Sequence, residues 1–155
     1  MNVLAVFTVN GSLAGYPHWI GEYFRFDGVT MQPGLPVTIL SLGYDELLLS
    51  SRTAVLRRAG YRAVTGCGIE PFNDQFILSL ELIIFCHTVS QYEIDRVIEQ
   101  CGRLNRKLKF LLIYSHLQPP RASGSNQFDS LPEPECLLEA VKQILPVRRY
   151  EKAIA

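Results

Sequence analysis

The chain has 155 residues, of which 48% are hydrophobic and 19% charged, which is enough for one core of ordinary size and too short for two independent domains. Fifteen basic side chains balance fifteen acidic ones, so no global field attracts nucleic acid, an anionic membrane surface or an acidic substrate. Cys67, Cys86, Cys101 and Cys136 form no CxxC or CxxxC pair, and the apolar run Val3 to Val9 is far short of the roughly 20 residues of a membrane span and has no Lys or Arg before it. A reduced, cytoplasmic setting without a membrane segment is expected.

Residues 1 to 36 mix Gly, Pro and aromatics (Tyr16, Trp19, Tyr23, Phe24, Phe26) without a sustained period and end in Pro33-Gly-Leu-Pro36, which reads as a separate leader. Met31, the only internal methionine, stands just ahead of the first regular segment. Two readings follow, a translation start at Met31 or an aromatic-rich docking tail. One domain is expected over 37 to 146, with a basic tail over 147 to 155.

Val37 to Leu42 is a β-favouring apolar run that meets Gly43, and Asp45 to Ala59 follows with apolar residues at Leu48, Leu49, Val55, Leu56 and Ala59. Strand then amphipathic helix is the reading, with Asp45 at the helix start, where an acid complements the orphan amides, and Gly60 at its left-handed end. Tyr61 to Thr65 is a second strand, and Glu70 to Phe76 supplies a short helix weakened by Pro71 and Asn73. Leu80 to Phe85 is the most apolar run and is expected to be the central strand, covered on both faces. Ser90 and Glu93 form a capping box for a helix to Cys101, with Tyr92, Ile94, Val97, Ile98 and Cys101 as its apolar positions and Gly102 at its end. Lys109 to Tyr114 is a fourth strand, His116 to Asn126 a loop, Gln127 to Leu131 a weak fifth strand, and Pro134 to Leu145 a final helix with Pro134 in its first turn. The alternation predicts an α/β sandwich around a parallel sheet, with ligands outside the carboxyl ends of the strands.

The segments Thr38 to Leu49, Leu56-Arg-Arg-Ala-Gly-Tyr61, Glu81 to His87 and the closing Leu-Leu-Glu-Ala-Val over 137 to 141 resemble the receiver (CheY-like) domain of bacterial two-component response regulators. The resemblance covers Val37 to Leu145. It implies a flavodoxin-like fold with a five-stranded parallel sheet ordered 2-1-3-4-5, and the short stretch from Ser115 to Ser130 implies that the family's fourth helix is trimmed or missing. In that family an acidic pair after the first strand binds magnesium and an aspartate after the third accepts the phosphoryl group. Both jobs need carboxylates. Here those positions read Gly43, Tyr44 and Cys86. Ser115 matches the family's hydroxyl after the fourth strand, whereas Ser130 and Leu131 stand where a Lys-Pro pair is usual. An alternative frame that uses Asp45 as the acid keeps weak magnesium binding.

The expected pocket is thus a degenerate phosphoacceptor site of Gly43, Tyr44, Cys86, Ser115 and Ser130, with no catalytic residue, no metal and no cofactor. The implied function is a noncatalytic pseudo-receiver acting through protein contacts, with a sensor kinase, response regulator or output protein as partner. An alternative is a redox-responsive regulator in which His87 activates Cys86; the bland reading of Cys86 is a buried small hydrophobe. An enzyme of unrecognised chemistry stands third. Cys86, His87 and His116 converging on zinc is a weaker idea, since no paired ligand spacing supports it. The basic clusters Arg103 to Lys109 and Arg148 to Lys152 read as solvated surface rather than a nucleic-acid site.

Overall fold

The computed structural model describes residues 39–68 and 72–145. The expected leader, the Met31 reading and the basic tail over 147 to 155 lie outside these residues. Five strands, β1 (Ile39–Gly43), β2 (Ala63–Cys67), β3 (Leu82–Phe85), β4 (Lys109–Ile113) and β5 (Gln127–Ser130), form one all-parallel sheet in the order β2-β1-β3-β4-β5. The helices are α1 (Glu46–Arg58), α2 (Asp74–Ser79), α3 (Gln91–Leu104) and α4 (Pro134–Ile144). This is the flavodoxin-like arrangement, with β3 in the middle as its continuous apolar run requires.

Period-2 alternation divides the core into two layers. Leu40, Leu42, Val64, Ile83, Phe85, Phe110 and Leu112 cluster with Phe76 and Ile77 of α2 and Ile94, Val97 and Cys101 of α3. Ile39, Ala63, Leu82, Ile84, Leu111 and Ile113 cluster with Leu56 of α1 and Leu137, Val141 and Ile144 of α4. Helices therefore cover both faces, and the backbone polar groups of the middle strands are met within the sheet.

Local signals place the helix ends. Asp45 caps α1 by accepting from Leu48 N at 3.0 Å, and Gly60 after it adopts φ +95°, a left-handed conformation that suits glycine. Ser90 and Glu93 close the capping box of α3, and Pro134 occupies the first turn of α4. Three details of the helices differ from expectation. Asn73 starts α2 rather than weakening it, because its side chain accepts from Gln75 N at 2.8 Å. Gly102 lies inside α3, which runs two residues further to Leu104 and ends where the Asn105 side chain donates to Ile77 O and Leu80 O. Tyr92, on the first turn of α3, faces solvent at 71% exposure. Between β4 and β5 the described chain has no helix, and Tyr114 to Asn126 is loop.

Candidate functional site at the carboxyl edge of the sheet

The β1, β3, β4 and β5 ends bring Gly43, Cys86, Ser115 and Ser130 to one edge of the sheet, where the turns after each strand meet. Cys86 N donates to Leu42 O at 2.8 Å, so the residue after β3 is locked beside the end of β1. A Cβ built on Gly43 lies 2.7 Å from Cys86 Cβ, 3.3 Å from its Sγ and 3.4 Å from Leu49 Cδ2. The cysteine side chain thus fills the space an acid at position 43 would need. Gly43 is more than a lost carboxylate, because its missing side chain is what seats Cys86.

Arg52 supplies the neighbour of the thiol that the sequence did not suggest. It is only 5% exposed, and its Nη1 donates to Cys86 Sγ. Burial pushes the Cys86 thiol up, the Arg52 charge and the His87 backbone amide pull it down, and burial wins. The expected activation by the His87 side chain is not what the geometry offers. His87 Nδ1 is buried without a hydrogen-bond partner, and only its backbone amide reaches Cys86. Adjacent residues at a strand end project to opposite sides, which separates the two side chains.

Arg121 fills the other half of the edge. From the loop after β4 it donates Nη1 to Val89 O at 2.9 Å and Nη2 to Ile113 O at 3.1 Å, with Cys86 O at 3.5 Å. Asp129 of β5 holds the loop in place, accepting from Arg121 N at 2.8 Å and from Ala122 N at 3.0 Å. Burial lowers the Arg121 pKa from its ordinary value and the Asp129 carboxylate partly restores it. The residues replacing a helix between β4 and β5 therefore thread a cation across the ends of β3 and β4.

The remaining expected residues sit around this centre. Tyr44 is half exposed; its N–H reaches Thr88 Oγ1 at 3.4 Å and its hydroxyl bonds the Glu93 carboxylate. That bond, followed by those from Ser90, holds the Glu93 carboxyl below its ordinary range. Ser115 O accepts from Gln118 N at 2.9 Å in the loop, and the Ser130 hydroxyl is buried and turned onto Leu131 O at 2.9 Å. His116 pairs with Glu133, away from Cys86, so the three suggested zinc ligands do not converge. Among the described residues no group of three His, Cys, Asp or Glu side chains is placed to hold a metal, and no helix is long and apolar enough to cross a membrane.

Magnesium, the ion that the receiver resemblance implies, asks for several oxygen ligands in near-octahedral array. The residues do not fit it. A thiol and two guanidinium groups stand at the centre, and Asp45, the acid of the alternative frame, has its Oδ1 accepting from the amide of Leu48 and no second acid grouped with it among the described residues.

No protein-family profile matches the chain, and neither does any curated protein. Solved structures do resemble it. A protein from Burkholderia pseudomallei described as pilus assembly-related aligns with TM-score 0.53 at 19% identity over 75% of this chain and 94% of its own. A CheY-like response regulator receiver domain from Methanospirillum hungatei aligns with TM-score 0.51 at 19% identity over 68% and 90%. A protein from Burkholderia thailandensis described as a pilus assembly protein, CpaE, aligns with TM-score 0.51 at 21% identity over 70% and 97%. At these identities the likeness speaks for architecture, and the architecture is that of the CheY-like receiver fold.

Proposed function

We propose that the chain is a noncatalytic pseudo-receiver, a signalling module that works through protein contacts rather than phosphoryl transfer. The observation that carries the reading is the chemistry at the carboxyl edge of the sheet. Where a receiver needs carboxylates, this chain has Gly43, Tyr44 and Cys86, with Arg52 and Arg121 turned in beside them. A thiol cannot form the acyl phosphate of a phosphoaspartate, and two guanidinium groups at the same edge repel a divalent cation.

Protein contact is supported by the rim above this edge. Tyr44, Leu47, Tyr92 and Leu117 are 49%, 79%, 71% and 97% exposed, and all four follow the carboxyl ends of strands or open the helices beyond them. Exposed apolar side chains gathered at one end of a domain suit a partner surface. A sensor kinase, response regulator or output protein is the expected partner class, and a cytoplasmic location goes with it. Without a transferred phosphate, the state of the module must follow from binding, since a switch needs differential affinity for its two forms.

Affinity capture with the tagged full-length chain, with and without a small phosphodonor and magnesium, tests the reading. Recovery of a signalling protein that is indifferent to the donor and lost with Leu47→Glu or Tyr92→Glu supports it. Recovery that depends on the donor contradicts it.

A further inference from the structure

On α1 lies a buried cation that no carboxylate pairs with among the described residues; the charge of Asp45 is felt at the Cys86 thiol, but its carboxylate caps the helix and does not bond Arg52. Arg52 Nη1 meets Cys86 Sγ, while Nε and Nη2 are buried without hydrogen-bond partners. Ser41, on the same face of β1 as Gly43 by the strand alternation, adds a buried hydroxyl that also lacks one. Arginine does not lose its proton in proteins, and a buried charge left unpaired is costly. A thiol kept protonated by burial gives Arg52 a weak acceptor and no counter-charge.

We propose that Cys86 is an oxidative modification site and that its sulfinate is the anion this pocket accommodates. The group carries two oxygens and a full negative charge, which answers a guanidinium with unmet N–H groups on its side-on fork. The chemistry takes two equivalents of hydrogen peroxide. In the first step, with the turn open and the burial relieved, the thiol gives its proton to solvent, the thiolate attacks one peroxide oxygen, the O–O bond breaks, and the departing hydroxide takes up a proton as water, giving the sulfenic acid. A second peroxide oxidises that sulfur again, releasing a second water and giving the sulfinic acid, whose proton goes to solvent. Sulfur is oxidised and peroxide oxygen reduced at each step. Peroxide reaches the buried sulfur when the turn after β3 opens locally.

This inference deepens the reading of an emptied phosphoacceptor site, because the sulfinate puts an anion at the end of β3. It can nevertheless be tested without any partner or phosphodonor. Cys101 is the internal control: it is equally buried, burial alone pushes its thiol up to about 12, and no cation stands against it among the described residues.

The experiment uses the full chain with the half-buried Cys67 and Cys136 changed to Ser, treated with hydrogen peroxide and mapped by peptide mass. The expected result is two added oxygens on Cys86 and none on Cys101, with a higher thermal midpoint than the reduced chain. In an Arg52→Met background the same oxidation lowers the midpoint. A second comparison needs no oxidant and no change at Arg52. Cys86→Asp shifts the folding equilibrium toward the native state by roughly tenfold relative to Cys86→Asn, the effect of a charge-assisted hydrogen bond gained. An unmodified Cys86 in the treated folded chain, a lower midpoint after its oxidation with Arg52 present, or an Asp variant no more stable than the Asn variant overturns the proposal. None of these outcomes bears on phosphoryl transfer, which labelling of the unaltered chain reads separately.

Discussion

Replacing Gly43 with Ala puts the close approach of β1 and β3 to a quantitative test. The added Cβ arrives 2.7 Å from Cys86 Cβ, well inside carbon contact, with Cys86 Sγ at 3.3 Å and Leu49 Cδ2 at 3.4 Å. Neither strand can step aside freely. Cys86 N is bonded to Leu42 O at 2.8 Å, and Gly43 O accepts from Gly68 N at 2.8 Å on the other side. Overpacking of this kind costs about 1–3 kcal/mol. Against it, replacing Gly by Ala in a strand returns about 0.5–1 kcal/mol of backbone entropy. The net expectation is a loss of about 1–2 kcal/mol, or a thermal midpoint lower by roughly 4–8 °C for a domain of this size. Equilibrium unfolding in urea, monitored by circular dichroism, measures it. Because the clash is with the β-carbon, Cys86→Ala leaves the penalty in place, whereas Cys86→Gly relieves it. A Gly43→Ala variant as stable as the parent, or one rescued equally by Cys86→Ala, refutes the steric argument.

Other expectations follow from single contacts. Arg121→Ala removes the donors to Val89 O and Ile113 O, and amide exchange in residues 114 to 126 should rise while α1 and β1 stay protected. Asn105→Ala frees the carbonyls of Ile77 and Leu80 that its side chain satisfies at 3.1 and 2.9 Å, and should cost about 1–3 kcal/mol in urea unfolding. The Glu93 carboxyl is held below its unfolded value of 4.5, so its contribution to stability is fully present above that pH and is lost as pH falls through the lower folded value. Unfolding measured from pH 6 to pH 3 should therefore be less pH-dependent in Glu93→Gln, and Tyr44→Phe should remove part of the difference.

Much of the fold was legible because its signals are local. Asp45, Gly60, Ser90 with Glu93, and Pro134 each mark a helix end by their own chemistry, and the apolar run at β3 marks the middle of the sheet. The strand order came from the receiver resemblance, since alternation of strands and helices is compatible with several orders. Asn73 reads as a weakness in the sequence because a turn-favouring residue inside a helical window and a cap at its start look alike until the boundary is known.

The site was less legible. The resemblance brought Gly43 and Cys86 to one edge but said nothing of their contact, which depends on the spacing of two strands. Arg52 carries a signal in the helix periodicity. Leu49, Arg52, Thr53 and Leu56 are all buried on α1, and their spacing of three and four residues is that of one helix face, so the arginine occupies a core position. Arg121 carried none. It stands in an aperiodic loop after Pro119 and Pro120, and only the loop's path across the ends of β3 and β4 gives it a role.

The most direct test of the central reading is phosphoryl transfer itself. The purified full-length chain, with the site side chains unaltered, is incubated with acetyl phosphate and magnesium, and its intact mass is followed beside a receiver domain that retains its acids. The account predicts that the control gains a phosphoryl group and this chain does not. A stoichiometric phosphoryl adduct mapping to the carboxyl edge of the sheet, at Cys86 or Asp45, contradicts it.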